Sequence, residues 1–117
     1  MKALPQVSRD LLEAARIVEK GWCQNETHID DKFCVMGALA EVTDGGFFRG
    51  PCENRFMSAI DAVAGLLDLG PQTVFHSQHP LADWNDAPER TKAEVVKALQ
   101  DAAMKAAEEM GNEQLCY

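Results

Sequence analysis

No apolar run in this 117-residue chain approaches the ~20 residues that a membrane-crossing helix needs. The opening residues, Met1-Lys2-Ala3-Leu4-Pro5-Gln6, carry neither the apolar stretch nor the small-residue cleavage site of a secretory signal. A cytoplasmic protein with no membrane partner is the expectation. Positive charge is also sparse: 11 Lys and Arg stand against 19 Asp and Glu, a net charge of −8. The basic residues are scattered singly, whereas neutralising phosphates takes clusters of them. Direct nucleic-acid binding is therefore not expected, and an acidic surface suits either solubility or a basic protein partner. Cys23, Cys34, Cys52 and Cys116 include no Cys-x-x-Cys pair. Nothing calls for an oxidising compartment, so reduced thiols are expected, with Cys34 buried and Cys116 in a mobile tail. Also missing are a Gly-x-Gly-x-x-Gly turn, a phosphate-binding lysine loop and a Ser-His-Asp arrangement. No cofactor is expected.

What is present reads as a single helical domain over residues 1–117, with an ordered core at about 8–110 and a flexible tail at 111–117. Its 46% hydrophobic and 26% charged residues are ordinary for a globular core of this size. Ser8 or its neighbourhood can cap a first helix from about Arg9 to Lys20, with Leu11, Ala15 and Val18 as its stripe, widened by Leu12 and Ala14. Gly21 stops it and Trp22 folds back onto the core. Cys23 to Asp31 reads as a polar loop.

The run Phe33-Cys34-Val35-Met36-Gly37-Ala38-Leu39-Ala40 is apolar throughout, which periodicity alone cannot assign. Its helix formers, and Asp30 or Asp31 as a cap, predict a central helix ended by Thr43-Asp44-Gly45-Gly46. Gly37, costly within a helix, marks a close approach by a neighbour. After a loop with a turn at Gly50-Pro51, Asn54 can cap the clearest amphipathic helix. There Phe56, Ala59, Ile60, Val63, Ala64 and Leu67 share one face, and Gly70-Pro71 ends it. Short helical turns are expected between Gln72 and Asp83. Thr91 and Glu94 then form a capping box for a last helix running to about Glu109. Val95, Leu99, Ala102, Ala106 and Met110 face inward, and Glu94–Lys97 and Asp101–Lys105 pair on its surface. The fold class is all-α, a compact bundle of four main helices plus short turns.

Three groups of residues invite chemistry. Cys34 in a first helical turn would feel the positive end of the helix dipole, which favours thiolate. His76 or His79 as base and Asn85 or Asp86 as orienter would complete a nucleophile. The competing reading is a structural cysteine whose burial raises its pKa. Cys23, His28, His76 and His79 offer metal-binding spacings, completed by Cys34 or Cys52, but dispersed loop histidines explain them as well. Asp83 and Asp86 flank Trp84-Asn85 as a carboxylate pair. Against that, Asn85 or Asp86 can form an Asx-turn before Pro88, Trp84 can bury its ring, and Arg90 can tie the turn to a carboxylate or to carbonyls at a helix end. Phe47 and Phe48, adjacent in a Gly-rich loop, cannot easily both face the core, so one can anchor a partner.

Gly21-Trp22, Cys34-Val35-Met36-Gly37-Ala38-Leu39 and Trp84-Asn85-Asp86 with Arg90-Thr91 and Glu94-Val95 together form a pattern. It resembles a family of small uncharacterised helical proteins of bacteria and their phages. The resemblance spans most of Leu11 to Leu99. It implies a stand-alone helical domain and brings no established activity or catalytic residues. Asp44 to Cys52 and the tail after Glu109 look peculiar to this chain. Trp22, Gly37, Trp84, Asn85, Arg90 and Thr91 are read as structural, and Phe47, Phe48, Asp83 and Asp86 as partner-facing. The functional expectation is a non-enzymatic protein-interaction module. Its phage relatives imply a specific form, an inhibitor that occupies the basic nucleic-acid groove of a host protein or defence nuclease. The alternatives are a Cys34 enzyme and a zinc-binding domain.

Overall fold

The computed structural model describes residues 4–43, 55–69 and 79–110. Among these the chain is mostly α-helical: α1 (Gln6–Lys20), α2 (Val35–Val42), α3 (Arg55–Leu66), α4 (Pro80–Asn85) and α5 (Lys92–Met110). A small hairpin of β1 (His28–Ile29) and β2 (Lys32–Phe33) interrupts the helices. The all-α expectation holds, with α4 as the short helical element before the long last helix.

One core joins the helices. Leu11, Ala14, Ala15 and Val18 of α1 are buried with Val95, Leu99, Ala102 and Ala106 of α5. Val35, Ala38 and Leu39 of α2, Ala59, Ile60 and Val63 of α3, and Leu81 of α4 complete the same cluster. Alanine recurs along α5 and meets Ala14 and Ala15 of α1, and its small side chain lets two helices pack closely. Along that seam Ser8, 0% exposed, donates its hydroxyl to the Ala103 carbonyl at 2.7 Å. Ser8 is therefore an interhelical pin and not the cap expected of it. The helix begins earlier, at Gln6, with Pro5 as N-cap. Proline is tolerated there because the N–H it lacks would have no intrahelical partner.

A second pin joins α1 to α3. Asp10 is 3% exposed and receives both Nε and Nη2 of Arg55, at 3.1 and 2.7 Å. The Gln6 amide adds a third hydrogen bond, so the carboxylate is well partnered away from water.

Elsewhere too the local structure departs from the expected elements. The central helix starts at Val35, capped by Cys34 and not by Asp30 or Asp31, because Phe33 is drawn into β2. The supposed polar loop contains β1, too short to leave an alternating pattern. α3 is closed by Asp68, which adopts a left-handed φ of 58° while Leu69 donates back to the Ala64 carbonyl. On α5, Lys97 pairs with Asp101 at 2.6 Å, while Glu94 serves Thr91 and Arg90. The expected pairs Glu94–Lys97 and Asp101–Lys105 are thus replaced by one between their members. The Asn54 cap, the Gly45-Gly46, Gly50-Pro51, Gly70-Pro71 and Gly111 signals, the tail 111–117 and the inward placement of Met110 lie outside the described residues and side chains.

Candidate functional site

The Trp84-Asn85-Asp86 motif closes α4, with Asp86 at its C-terminal cap. α4 begins with His79, whose Nδ1 accepts from the Leu81 amide at 3.0 Å, and Pro80 occupies its first turn. Asp86 then takes the C-cap, its amide turning back to the Ala82 and Asp83 carbonyls. This end of the helix aims Asn85 into the protein, where it is fully buried.

Asn85 does not form the expected Asx-turn, because its carboxamide is used across the fold. Its Oδ1 accepts from the Trp22 indole N–H at 2.8 Å and from the Val35 amide at 3.0 Å. Its Nδ2 donates to the Cys23 carbonyl at 3.2 Å and to Asp86 Oδ1 at 3.0 Å. An asparagine side chain has about four hydrogen-bonding positions, and here all are filled. The Val35 amide is one of the N–H groups that the start of α2 leaves without a helical partner. One buried side chain therefore ties together the end of α1, the start of α2 and the end of α4.

The surrounding residues extend this clasp. Gln24 Nε2 reaches the Asn85 and Ala87 carbonyls at 3.0 and 2.8 Å, and the Asn25 amide donates to Asp86 Oδ1 at 2.8 Å. Arg90 gives Nε to the Trp84 carbonyl at 2.9 Å and lies 4.2 Å from the centre of the Trp84 ring. Its Nη1 sits 3.5 Å from Glu94. Thr91 and Glu94 form the reciprocal capping box, Glu94 N to Thr91 Oγ1 at 3.2 Å and Thr91 N to Glu94 Oε1 at 2.9 Å. Gln24 and Asn25 had no signal in the sequence. Their roles follow from their distance, in the fold, to a helix end some sixty residues away.

The clasp holds an exposed hairpin. Phe33 donates to the Gly21 carbonyl and Cys23 donates back to Phe33, so the strand leaving α1 runs parallel to β2. His28 pairs with Phe33 and Ile29 with Lys32, leaving Asp30-Asp31 as a two-residue turn. Asp30 has φ 54° and Asn25 φ 68°, left-handed conformations that cost energy outside glycine. His28 stacks on Phe33 with ring centres 4.4 Å apart. Beneath the hairpin, Thr27 accepts from the Cys34 amide, and its carbonyl lies against Gly37. A β-carbon at Gly37 would overlap that oxygen, which is the close approach its position in an apolar helix predicts. Residues 25–32 are nevertheless all exposed, with Ile29 at 41%.

Cys34 is buried, and its Sγ accepts from the Gly37 amide at 3.3 Å as the cap of α2. Burial raises its thiol pKa, outweighing the lowering by the Gly37 and Met36 amides. Burial also raises Cys23, whose Sγ points to the Glu26 carbonyl at 3.4 Å. The helix-end effect that would make Cys34 a thiolate is therefore the weaker one here. His79, its suggested base, spends Nδ1 on the α4 cap. Asp86, the suggested orienter, accepts from Asn25 and Asn85. Among the described residues no three His, Cys, Asp or Glu side chains converge as metal ligands. His28 belongs to the exposed hairpin. Of the partner-facing candidates Asp83 is exposed; His76, Phe47, Phe48, Cys52 and Cys116 lie outside the described residues.

No helix of the described residues is long and apolar enough to cross a membrane. No curated protein and no solved structure matches the chain. Residues 3–105 do match a family model, reaching from α1 into α5 and taking in the hairpin and the Trp-Asn-Asp clasp. The chain belongs to that family, the family of unknown function DUF6197.

Proposed function

We propose that this protein is a non-enzymatic protein-interaction module whose recognition surface is the hairpin at residues 25–32, offered to a basic partner protein. The observation that carries this reading is a segment exposed throughout yet braced at both ends and underneath. A loop already ordered loses little conformational freedom on binding, and that favours affinity. Glu26, Asp30 and Asp31 give it negative charge, and half-exposed Ile29 beside them gives an apolar contact. The net charge of −8 adds long-range attraction to a positive partner. In its most specific form the module is a phage-encoded inhibitor that fills the basic nucleic-acid groove of a host protein or defence nuclease. Cys23 and Cys34 as free thiols agree with a cytoplasmic setting.

The test is capture by the tagged protein from nuclease-treated lysate, beside the double variant Asp30→Lys/Asp31→Lys with an unchanged circular dichroism spectrum. One near-stoichiometric protein should bind the natural chain, and charge reversal or raised salt should release it. Capture indifferent to both would refute the electrostatic reading, and an empty capture would count against the module itself.

A further inference from the structure

Cys23 and Cys34 sit side by side in the fold. The parallel bridge pairs Trp22 with Phe33, so the residues that follow each of them are neighbours across the two segments. Adjacent strands lie about 4.8 Å apart, within the roughly 4.4–6.8 Å between α-carbons that a disulfide spans. The two sulfurs also approach the same strip of backbone. Cys23 Sγ meets the Glu26 carbonyl, and Cys34 Sγ meets the Gly37 amide, where the next carbonyl, that of Thr27, presses on the same glycine. Both are free thiols.

We propose that Cys23 and Cys34 form a redox-sensitive pair that closes into an intramolecular disulfide across the base of the hairpin. The oxidant is a low-molecular-weight disulfide. Cys23, nearer the surface at 9% exposure against 5% for Cys34, loses its proton and attacks one sulfur of that reagent, releasing a small thiolate. Cys34 then loses its proton and attacks the Cys23 sulfur of the mixed disulfide, displacing the second small thiolate. Two protein thiols are oxidised, one reagent disulfide is reduced to two thiols, and the two protons end on them. Because burial raises both thiols, closure is slow at neutral pH and accelerates as pH rises. Once closed, the bond ties the end of α1 to the start of α2 and clamps the hairpin between them. This holds whether or not the hairpin binds a partner.

The experiment treats Cys52→Ser/Cys116→Ser protein with oxidised glutathione and reads it by intact mass and by non-reducing peptide mapping. The expected product is a monomer lighter by two hydrogens, with Cys23 and Cys34 in one cross-linked peptide. Its melting temperature should rise by several degrees, and dithiothreitol should reverse both changes. In the Cys34→Ser background the reaction should instead stop at a glutathione adduct on Cys23. A stable glutathione adduct with Cys34 intact, a disulfide-linked dimer, or no reaction in the folded protein while the urea-unfolded chain oxidises would each overturn the proposal.

Discussion

Asn85 illustrates why a polar residue can be the most consequential one in an apolar core. Its four hydrogen bonds replace those it would make to water, and they satisfy groups from three elements. Asn85→Ala leaves the Trp22 indole, the Val35 amide and the Cys23 carbonyl without that partner. The loss should reach about 3 kcal/mol, measured as a shift in urea midpoint. Trp22→Phe keeps most of the ring and removes one donor, so it should cost about 1 kcal/mol. Gly37→Ala is of another kind: the added carbon meets the Thr27 carbonyl, and roughly 3 kcal/mol of strain is expected. The thiol of Cys34 supplies a pH dependence. Its pKa is higher folded than unfolded, so the folded state holds the proton more tightly. The associated stability is complete below the ordinary thiol range, near pH 8.5, and is lost as pH rises through the folded value. Thermal melts between neutral and alkaline pH should show that decline in reduced protein, and Cys34→Ser should lessen it.

At the scale of elements, legibility followed the range of the interaction. α5 could be read because its capping box and its inward stripe are local, written within a few residues of one another. α1 was misplaced at its start because Ser8 satisfies its hydroxyl on Ala103, a contact that local sequence cannot reveal. The hairpin was missed for a related reason: two-residue strands give no period, and their support comes from Gly21, Thr27 and Asp86. The motif Trp84-Asn85-Asp86 stood out, but its role in joining α1, α2 and α4 depends on where those elements meet. The hairpin also permits stability and recognition to be separated. Asp30 is held at a left-handed φ, so Asp30→Gly should stabilise the fold by about 0.5–1 kcal/mol. The same change removes a charge from the proposed surface and should weaken capture of a basic partner.

For the whole molecule, the clasp and the ion pair of Asp10 with Arg55 divide the work of fixing the helices. Asp10 and Arg55 join α1 to α3 as Ser8 and Ala103 join α1 to α5, and Arg55→Met should cost about 2 kcal/mol by leaving the buried carboxylate short of donors. The clasp instead orders an outer segment, which is why its loss should be felt most in the hairpin. Amide hydrogen exchange on natural and Asn85→Ala protein tests this most directly. Asn85→Ala should sharply reduce protection at Cys23, Asn25, Phe33, Cys34 and Val35 while the interior of α1 and α5 stays protected. Unchanged protection of those five amides in the variant would contradict it.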